Sequence, residues 1–147
     1  MKPRVFFDTN IMLDLLLERP GYQDAARLLQ RQEDGEITVC LSILSMANIA
    51  YVLRKLIPQN LLVPTLKQIS SIVEVIKMDD DQLQKALLME GPDFEDTLQA
   101  SCAASSGCQV IITHNPRDFK IRNGLCENIT LPSVMTPEEY ELRYQGV

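Results

Sequence analysis

Apolar residues follow two different periods along the chain, and each period predicts a type of element. Five short apolar runs, rich in β-branched and aromatic residues, predict strands, and the stretches between them carry apolar residues at helical spacing. The predicted strands cover residues 5–7, 37–41, 73–76, 110–113 and 128–131. The predicted helices cover residues 10–18, 22–32, 45–55, 63–70, 79–89 and 94–106, and a last helix begins near residue 137. Strands that alternate with helices indicate one α/β domain over residues 1–147, with a largely parallel sheet.

Polar residues and prolines mark where several of these helices begin and end. Thr9 or Asn10 can cap the first helix, and the acidic run that begins at Asp79 can cap a later one. The Pro58-Gln59-Asn60 stretch is expected to interrupt the helical pattern before residue 63. The Thr136-Pro137-Glu138-Glu139 stretch predicts a capping box at the start of the last helix.

Composition and charge narrow the class of protein. The chain has 147 residues, of which 46% are hydrophobic and 23% charged, as in an ordinary soluble domain. Its net charge of −6 disfavours nucleic-acid binding through the overall field, so a phosphate-bearing substrate would require local cations or a bound metal. Without a membrane-spanning run or a signal-peptide core, we expect a cytoplasmic protein with no membrane contact. The four cysteines form no C-x-x-C pair and are expected to be reduced and mostly buried.

Acidic and amide side chains gather where the predicted strands end. Asp8 directly follows the first strand, and Asp118 lies in the loop after the fourth. In a parallel sheet the crossover helices begin at this same edge. The first turns of the helices near residues 48 and 96 are therefore expected at this edge as well. The oxygen-bearing side chains expected at this edge are Asp8, Asn48, Asp93, Glu95, Asp96, Asn115 and Asp118.

Each of these residues also has a purely structural explanation. Asp93 is a good helix cap, Asp96 favours a first helical turn, and Asn115-Pro116 is a common turn pair. Several carboxylates at one edge would nevertheless repel one another and oppose folding unless a cation neutralised them. Because the ligands would all be oxygens, the expected cation is Mg²⁺ or Mn²⁺.

Four stretches, taken in order, resemble the PIN domain family, which is the fold of many bacterial toxin ribonucleases of the VapC type. They are FFDTNIMLDLL, SILSMANIAYVLRK, DFEDTLQASCAASSG and VIITHNPRDF. The resemblance implies a single-domain three-layer α/β/α sandwich with a largely parallel central sheet. It also implies a cluster of three or four acids, one or two Mg²⁺ or Mn²⁺ ions, and hydrolysis of RNA phosphodiester bonds. Matched to the family pattern, Asp8, Asp96 and Asp118 would be the catalytic, metal-binding residues.

One position departs from the family pattern. The helix after the second strand carries Asn48, where the family often has a glutamate. An amide keeps an oxygen ligand but loses a charge, which would weaken a second metal site or slow the enzyme. Glu95 or Asp93 could supply the missing charge.

Several further residues are expected to support the site. Thr9, Asn10 and Thr113 would orient the carboxylates. The loop at residues 117–122 carries Arg117, Lys120 and Arg122, which could bind an RNA backbone or could simply be solvated, and the neighbouring His114 could contact substrate. The full set of supporting residues is Thr9, Asn10, Asn48, Asp93, Thr113, Asn115 and Arg117.

The leading hypothesis is a metal-dependent ribonuclease acting on single-stranded RNA, with the toxin of a toxin–antitoxin pair as its implied role. The alternative is a catalytically weak or inactive PIN-like binding module, which Asn48 and the negative net charge favour. A phosphoacceptor domain ranks last, because Lys77 has no matching hydroxyl residue beside it.

The family resemblance also implies partners besides RNA. An antitoxin would occupy the cleft or the groove between the early helices. Apolar residues on the helices at 13–17 and 46–53, if exposed, would equally favour a homodimer.

Overall fold

A five-stranded parallel sheet forms the centre of the molecule, with the strand order β3-β2-β1-β4-β5. The computed structural model describes residues 2–144, with the backbone alone at Tyr144. The ends of the predicted domain, residue 1 and residues 145–147, lie outside the described residues. The strands are β1 (Arg4–Phe7), β2 (Thr38–Ser42), β3 (Glu74–Ile76), β4 (Val110–Ile112) and β5 (Ser133–Met135).

Helices cover both faces of this sheet. They are α1 (Thr9–Leu17), α2 (Tyr22–Glu33), α3 (Ile43–Leu53), α4 (Gln59–Ile72), α5 (Asp80–Leu88), α6 (Phe94–Ser105) and α7 (Pro137–Tyr144), with a 3₁₀ turn at Pro116–Phe119. Alternate residues of β1 point to opposite faces, so Val5 and Phe7 belong to one core cluster and Phe6 to the other. The expected three-layer α/β/α sandwich with a parallel sheet is therefore confirmed.

The residue types explain how closely the layers approach. The three apolar residues of β1 are fully buried, as expected for the central strand of a sheet covered on both sides. Small residues of α6, such as Ala100 and Ala103, are buried against the sheet in the second cluster. All four cysteines are free and buried, which confirms the prediction of reduced thiols.

The predicted last strand was wrong. Residues 128–131 form no strand, and β5 lies a few residues later at Ser133–Met135, paired with β4. Asn128 adopts a positive φ of 59°, which an extended strand does not allow. Pro132 follows this segment and lacks a backbone N–H, and pairing begins directly after it.

Two helix starts also differ from the prediction. The residue that caps α1 is Asp8, whose side chain accepts a hydrogen bond from the Thr9 N–H, so the assignment of the cap to Thr9 or Asn10 was wrong. Helix α4 begins at Gln59, directly after Pro58, and continues through Pro64. The expected interruption is present but lies earlier, at residues 54–58 between α3 and α4. Pro58 is extended, where its missing N–H costs nothing, and Gln59 and Asn60 are already helical.

Two predicted helix ends match closely. Asp79 caps α5 as expected, and it does so through a capping box, in which its side chain accepts from the Asp81 N–H and its own N–H donates to the Gln82 side chain. The Thr136 hydroxyl accepts from the Glu139 N–H at 3.1 Å, as expected for the start of α7. Within residues 2–144, no helix has the length and apolar character needed to cross a bilayer.

Candidate active site

Asp8 lies at the carboxyl end of β1, and both of its carboxylate oxygens accept hydrogen bonds. Oδ1 accepts from the Thr9 N–H at 2.8 Å and Oδ2 from the Thr113 hydroxyl at 2.9 Å. Its own N–H donates to the Ile112 carbonyl at 2.9 Å, which extends the pairing of β1 with β4 to this residue. Burial raises the pKa of Asp8, the two hydrogen bonds oppose that rise, and the charge of Glu95 adds to it. The carboxylate is thus held in a fixed orientation next to another acid.

Asp96 lies in the first turn of α6 and is the centre of a group of acids. Its N–H donates to the Asp93 carboxylate, the N-cap of the helix, at 3.0 Å. The pKa of Asp96 is raised to about 7, first by burial and then by the charges of Asp8, Asp93, Asp118 and Glu95. These acids come from three separate segments, and they are close enough together for their charges to repel one another.

Asn48 of α3 reaches across to this group. Its amide nitrogen donates to Glu95 Oε1 at 2.7 Å, which joins the middle of α3 to the first turn of α6. Glu95 therefore provides a carboxylate beside the position where Asn48 lacks one. Asp93 is instead engaged with the Asp96 backbone as the helix cap.

The remaining predicted residues differ in how they are connected. The Thr9 hydroxyl donates to Ser45 and not to a carboxylate, while the Asn115 N–H donates to the Thr113 hydroxyl. Asn10 is exposed, and within residues 2–144 its side chain makes no hydrogen bond. Asp118 and Arg117 are exposed on the 3₁₀ turn.

A buried polar network, which we did not predict from the sequence, lies beside the acids. Ser45 Oγ accepts from the Thr9 hydroxyl at 3.0 Å and from Gln99 Nε2 at 2.9 Å, and the Ser42 hydroxyl donates to Gln99 Oε1 at 2.5 Å. These residues join the start of α1, which follows Asp8, to the second turn of α6. The network therefore fixes the separation of Asp8 and Asp96. The signal in the sequence was a glutamine three residues after Asp96, at helical spacing.

A second unpredicted feature is the pairing of Asp14 with His114. Asp14 is 6% exposed on α1, and its carboxylate contacts His114 Nε2 and lies 3.7 Å from an Arg19 guanidinium nitrogen. The only histidine thus has a structural partner, and the pair fixes α1 to the segment after β4. The signal was an aspartate within the otherwise apolar run at residues 11–17.

The cations on the loop after β4 are not a single patch. Arg122 forms an ion pair with Glu90 at 3.2 Å, within an antiparallel bridge between the same two residues. Arg117 and Lys120 are exposed, and within residues 2–144 neither forms an ion pair. Arg117 and Lys120 are therefore available to an anionic ligand, whereas Arg122 already contacts an acid.

Comparison with known protein families assigns the chain to one of them. The model of the PIN domain matches residues 4–117, which is most of the chain and includes β1, α3, α6 and β4. The chain belongs to the PIN domain family. The resemblance inferred from the four sequence stretches is thereby confirmed.

Individual PIN domain proteins and solved structures support the same fold. Over 118 residues the chain is 28% identical to the protein named Ribonuclease VapC1 of Aquifex aeolicus (strain VF5), covering 76% of this chain and 81% of that protein. A chain of VapBC2 from Rickettsia felis, solved bound to a DNA fragment from the promoter, superposes with a TM-score of 0.62 at 19% identity. It covers 90% of this chain and 98% of its own length. VapBC-1 from nontypeable Haemophilus influenzae gives a TM-score of 0.63 at 16% identity, with 92% and 98% covered.

The acids of this PIN domain fit a divalent cation in their chemistry and charge, but they are not gathered into a closed metal site. All the candidate donors are oxygens, and the pKa of Asp96 is raised by burial and by the charges of the surrounding acids, which a bound cation would offset. However, in the part of the chain that the structure describes, no three His, Cys, Asp or Glu side chains are close enough to hold one metal ion. A cation would have to draw the side chains of Asp8, Asp96 and Asp118 closer together.

Proposed function

We propose that this PIN domain protein is an endoribonuclease that hydrolyses phosphodiester bonds of single-stranded RNA with the help of Mg²⁺ or Mn²⁺. The observation that carries the proposal is the meeting of acids from three segments around Asp96, with its pKa near 7, at the carboxyl edge of a parallel sheet. Membership of the PIN domain family and the 28% identity to a protein named a ribonuclease support it.

Each residue has a definite part in this proposal. Asp8, Asp96 and Asp118 would hold the cation, which would lower the pKa of a bound water and offset charge on the phosphoryl oxygens. Thr113 and the Thr9 N–H hold both oxygens of Asp8 in place, so its orientation is set before substrate arrives. Arg117 is exposed next to Asp118 and is available to a phosphate of the RNA backbone.

The proposal is tested with Asp8→Asn and Asp96→Asn on a labelled single-stranded RNA. Both substitutions keep the side-chain shape and remove a negative charge, so we expect each to reduce Mn²⁺-supported cleavage by at least about a hundredfold. EDTA should stop cleavage by the unmodified protein. Asp80→Asn is the matched control, because Asp80 also lies in a first helical turn but on α5, away from the acids. Equal cleavage by all four proteins would refute the assignment.

The second candidate function is a binding module with weak or no catalysis. Asn48 in place of an acid, and the lack of a three-ligand group within residues 2–144, favour it. Calorimetric titration with Mn²⁺ separates the two functions. An enzyme should show a saturable site that Asp8→Asn removes, whereas a binding module should show no such site and no cleavage.

An antitoxin is the protein partner that this proposal implies. A groove of about 150 Å³ between α1, α2 and α4 is lined mainly by apolar side chains: Met12, Leu15, Leu16, Leu29, Ile69 and Ile72. Such a groove suits an apolar face of a partner segment. Co-expression with a small DNA-binding protein encoded by the neighbouring gene should yield a complex, and Leu29→Glu should weaken it. Elution of the two proteins as separate species would count against this partner.

A homodimer remains a prediction, but the residues available for its contact differ from those expected from the sequence. Leu13 and Leu53 are 2% exposed and cannot contribute to a dimer contact, so this part of the expectation was wrong. On α3 the exposed large side chains are Ile43 and Tyr51. Sedimentation of the isolated chain would decide between monomer and dimer.

A further inference from the structure

An exposed aromatic ring at the end of α3 holds two cations. This residue, Tyr51, is 56% exposed. The guanidinium carbon of Arg54 lies 4.1 Å from its centroid and the ammonium nitrogen of Lys55 lies 4.7 Å from it. Both distances are those of cation–π contacts. Both positive charges are therefore held at the same ring.

Arg54 and Lys55 differ in their ion pairing from other cations among the described residues. Within residues 2–144 neither Arg54 nor Lys55 makes a salt bridge, whereas Arg4, Arg31 and Arg122 are each paired with a glutamate. Both side chains are exposed. In a chain with a net charge of −6, such a pair of unpaired neighbouring cations is available to an anionic ligand.

The position of this cluster connects it to the candidate active site. Tyr51 follows Asn48 by three residues on the same helix, a rise of about 4.5 Å. Helix α3 ends at Leu53, and Arg54 and Lys55 lie in the turn directly after it. Asn48 donates to Glu95 within the group of acids. Helix α3 therefore connects Asn48, beside the acids, to the two cations just past its end.

We propose that Tyr51, Arg54 and Lys55 form a phosphate-binding site for the backbone of single-stranded RNA, at the end of the helix whose Asn48 contacts the acids. This inference rests on the proposed ribonuclease function, which it extends by assigning where the substrate is held. Tyr51 is a positioning residue that holds the two cations together, and Arg54 and Lys55 each contact a phosphate. An acidic site requires such cations nearby, because its carboxylates repel the substrate.

The test measures RNA affinity as a function of salt, without cleavage. A fluorescein-labelled single-stranded RNA of mixed sequence is titrated in EDTA between 50 and 300 mM KCl with the full chain and with an Arg54→Ala/Lys55→Ala variant. For single strands, each phosphate contact contributes about 0.7 to the slope of log affinity against log salt. The variant should therefore bind about tenfold more weakly at 100 mM KCl, with a slope about 1.4 shallower.

Matched controls separate this site from a general charge effect. A Lys67→Ala/Arg143→Ala variant removes the same charge from exposed positions on α4 and α7, which contribute no residue to the group of acids, and should bind RNA like the unmodified protein. Tyr51→Phe keeps the ring and should bind normally, while Tyr51→Leu should weaken binding severalfold. Unfolding midpoints of all variants check that the exposed substitutions leave the fold intact.

The outcomes of this test and of the cleavage test are independent. Equal affinity and equal slope for the Arg54→Ala/Lys55→Ala variant overturn the phosphate-binding site even if the protein cleaves RNA. A slope that falls equally in the Lys67→Ala/Arg143→Ala control, or loss of a protein partner with RNA affinity unchanged, also overturns it. RNA binding that depends on Arg54 and Lys55 in a protein that never cleaves supports the site and refutes the ribonuclease.

Discussion

Replacing Asp96 with asparagine should make the protein more stable at neutral pH while it removes activity. The pKa of Asp96 is about 7 in the folded chain against an ordinary 3.8, because burial and the surrounding acids disfavour its charged form. Between pH 3.8 and about pH 7 the folded state therefore binds more protons than the unfolded state. The stability of the unmodified protein therefore falls as the pH rises through this range, and the full penalty is present above about pH 7.

The size of the effect follows from the same difference. Each pH unit between the folded and unfolded pKa values corresponds to about 1.4 kcal/mol, which gives an upper limit of about 4 kcal/mol for the shift of Asp96 to about 7. Asp96 is only partly buried, so solvent screens a large part of this energy. We expect Asp96→Asn to raise the free energy of unfolding by about 1–2 kcal/mol near pH 8. Near pH 5 this gain in stability should be about 1 kcal/mol smaller.

Urea unfolding in EDTA, at a series of pH values from 5 to 8.5, measures this advantage directly. Asp80→Asn is the control, since it removes a carboxylate from the first turn of α5 without relieving the group of acids around Asp96. Its effect should not grow with pH. Added Mn²⁺ should stabilise the unmodified protein more than it stabilises the Asp96→Asn variant. A bound cation offsets the negative charge of Asp96, and the variant lacks this charge. An Asp96→Asn variant that is less stable at pH 8, or whose advantage does not change with pH, would refute the reasoning.

Three further predictions concern the contacts around the site. Gln99→Met keeps the side-chain volume but leaves buried hydroxyls without their partner, and should lower the free energy of unfolding by about 1–3 kcal/mol, measured in urea; an unchanged value would contradict the role of the network. Asp14→Asn removes the charge that pairs with His114 and should lower the free energy of unfolding by about 1.5–3 kcal/mol. A loss below about 0.5 kcal/mol would mean that the pair is not stabilising. Gly91→Ala would place a Cβ 2.4 Å from the Thr97 hydroxyl oxygen. This close contact should cost about 1–3 kcal/mol and lower the unfolding midpoint by several degrees. An unshifted midpoint would show that the contact relaxes freely.

Asn48 shows how a departure from a family pattern can be understood once the structure is known. From the sequence, the lost charge could have been supplied by Glu95 or by Asp93. In the structure, Asn48 bonds Glu95, and Asp93 is used as the cap of α6. Only the packing of α3 against the start of α6 distinguishes these two possibilities, because the residues are 45 or more positions apart in the chain.

The sequence alone determined four of the five strands, the parallel sheet and the edge where the acids meet, whereas β5 was misplaced and the three layers were implied by the family resemblance. The apolar run of β1, the small residues of α6 and the position of Asp8 at a strand end are local patterns, and right-handed parallel connections convert them into a fold with few alternatives. The tertiary structure alone decided which polar side chains contact each other. The Thr9–Ser45–Gln99 network, the Asp14–His114 pair and the two cations on Tyr51 depend on how helices pack and on which rotamers fit. Periodicity reports which face of an element is buried, but it carries no information about hydrogen-bond partners on other elements, and the chemistry of this protein depends on those partners.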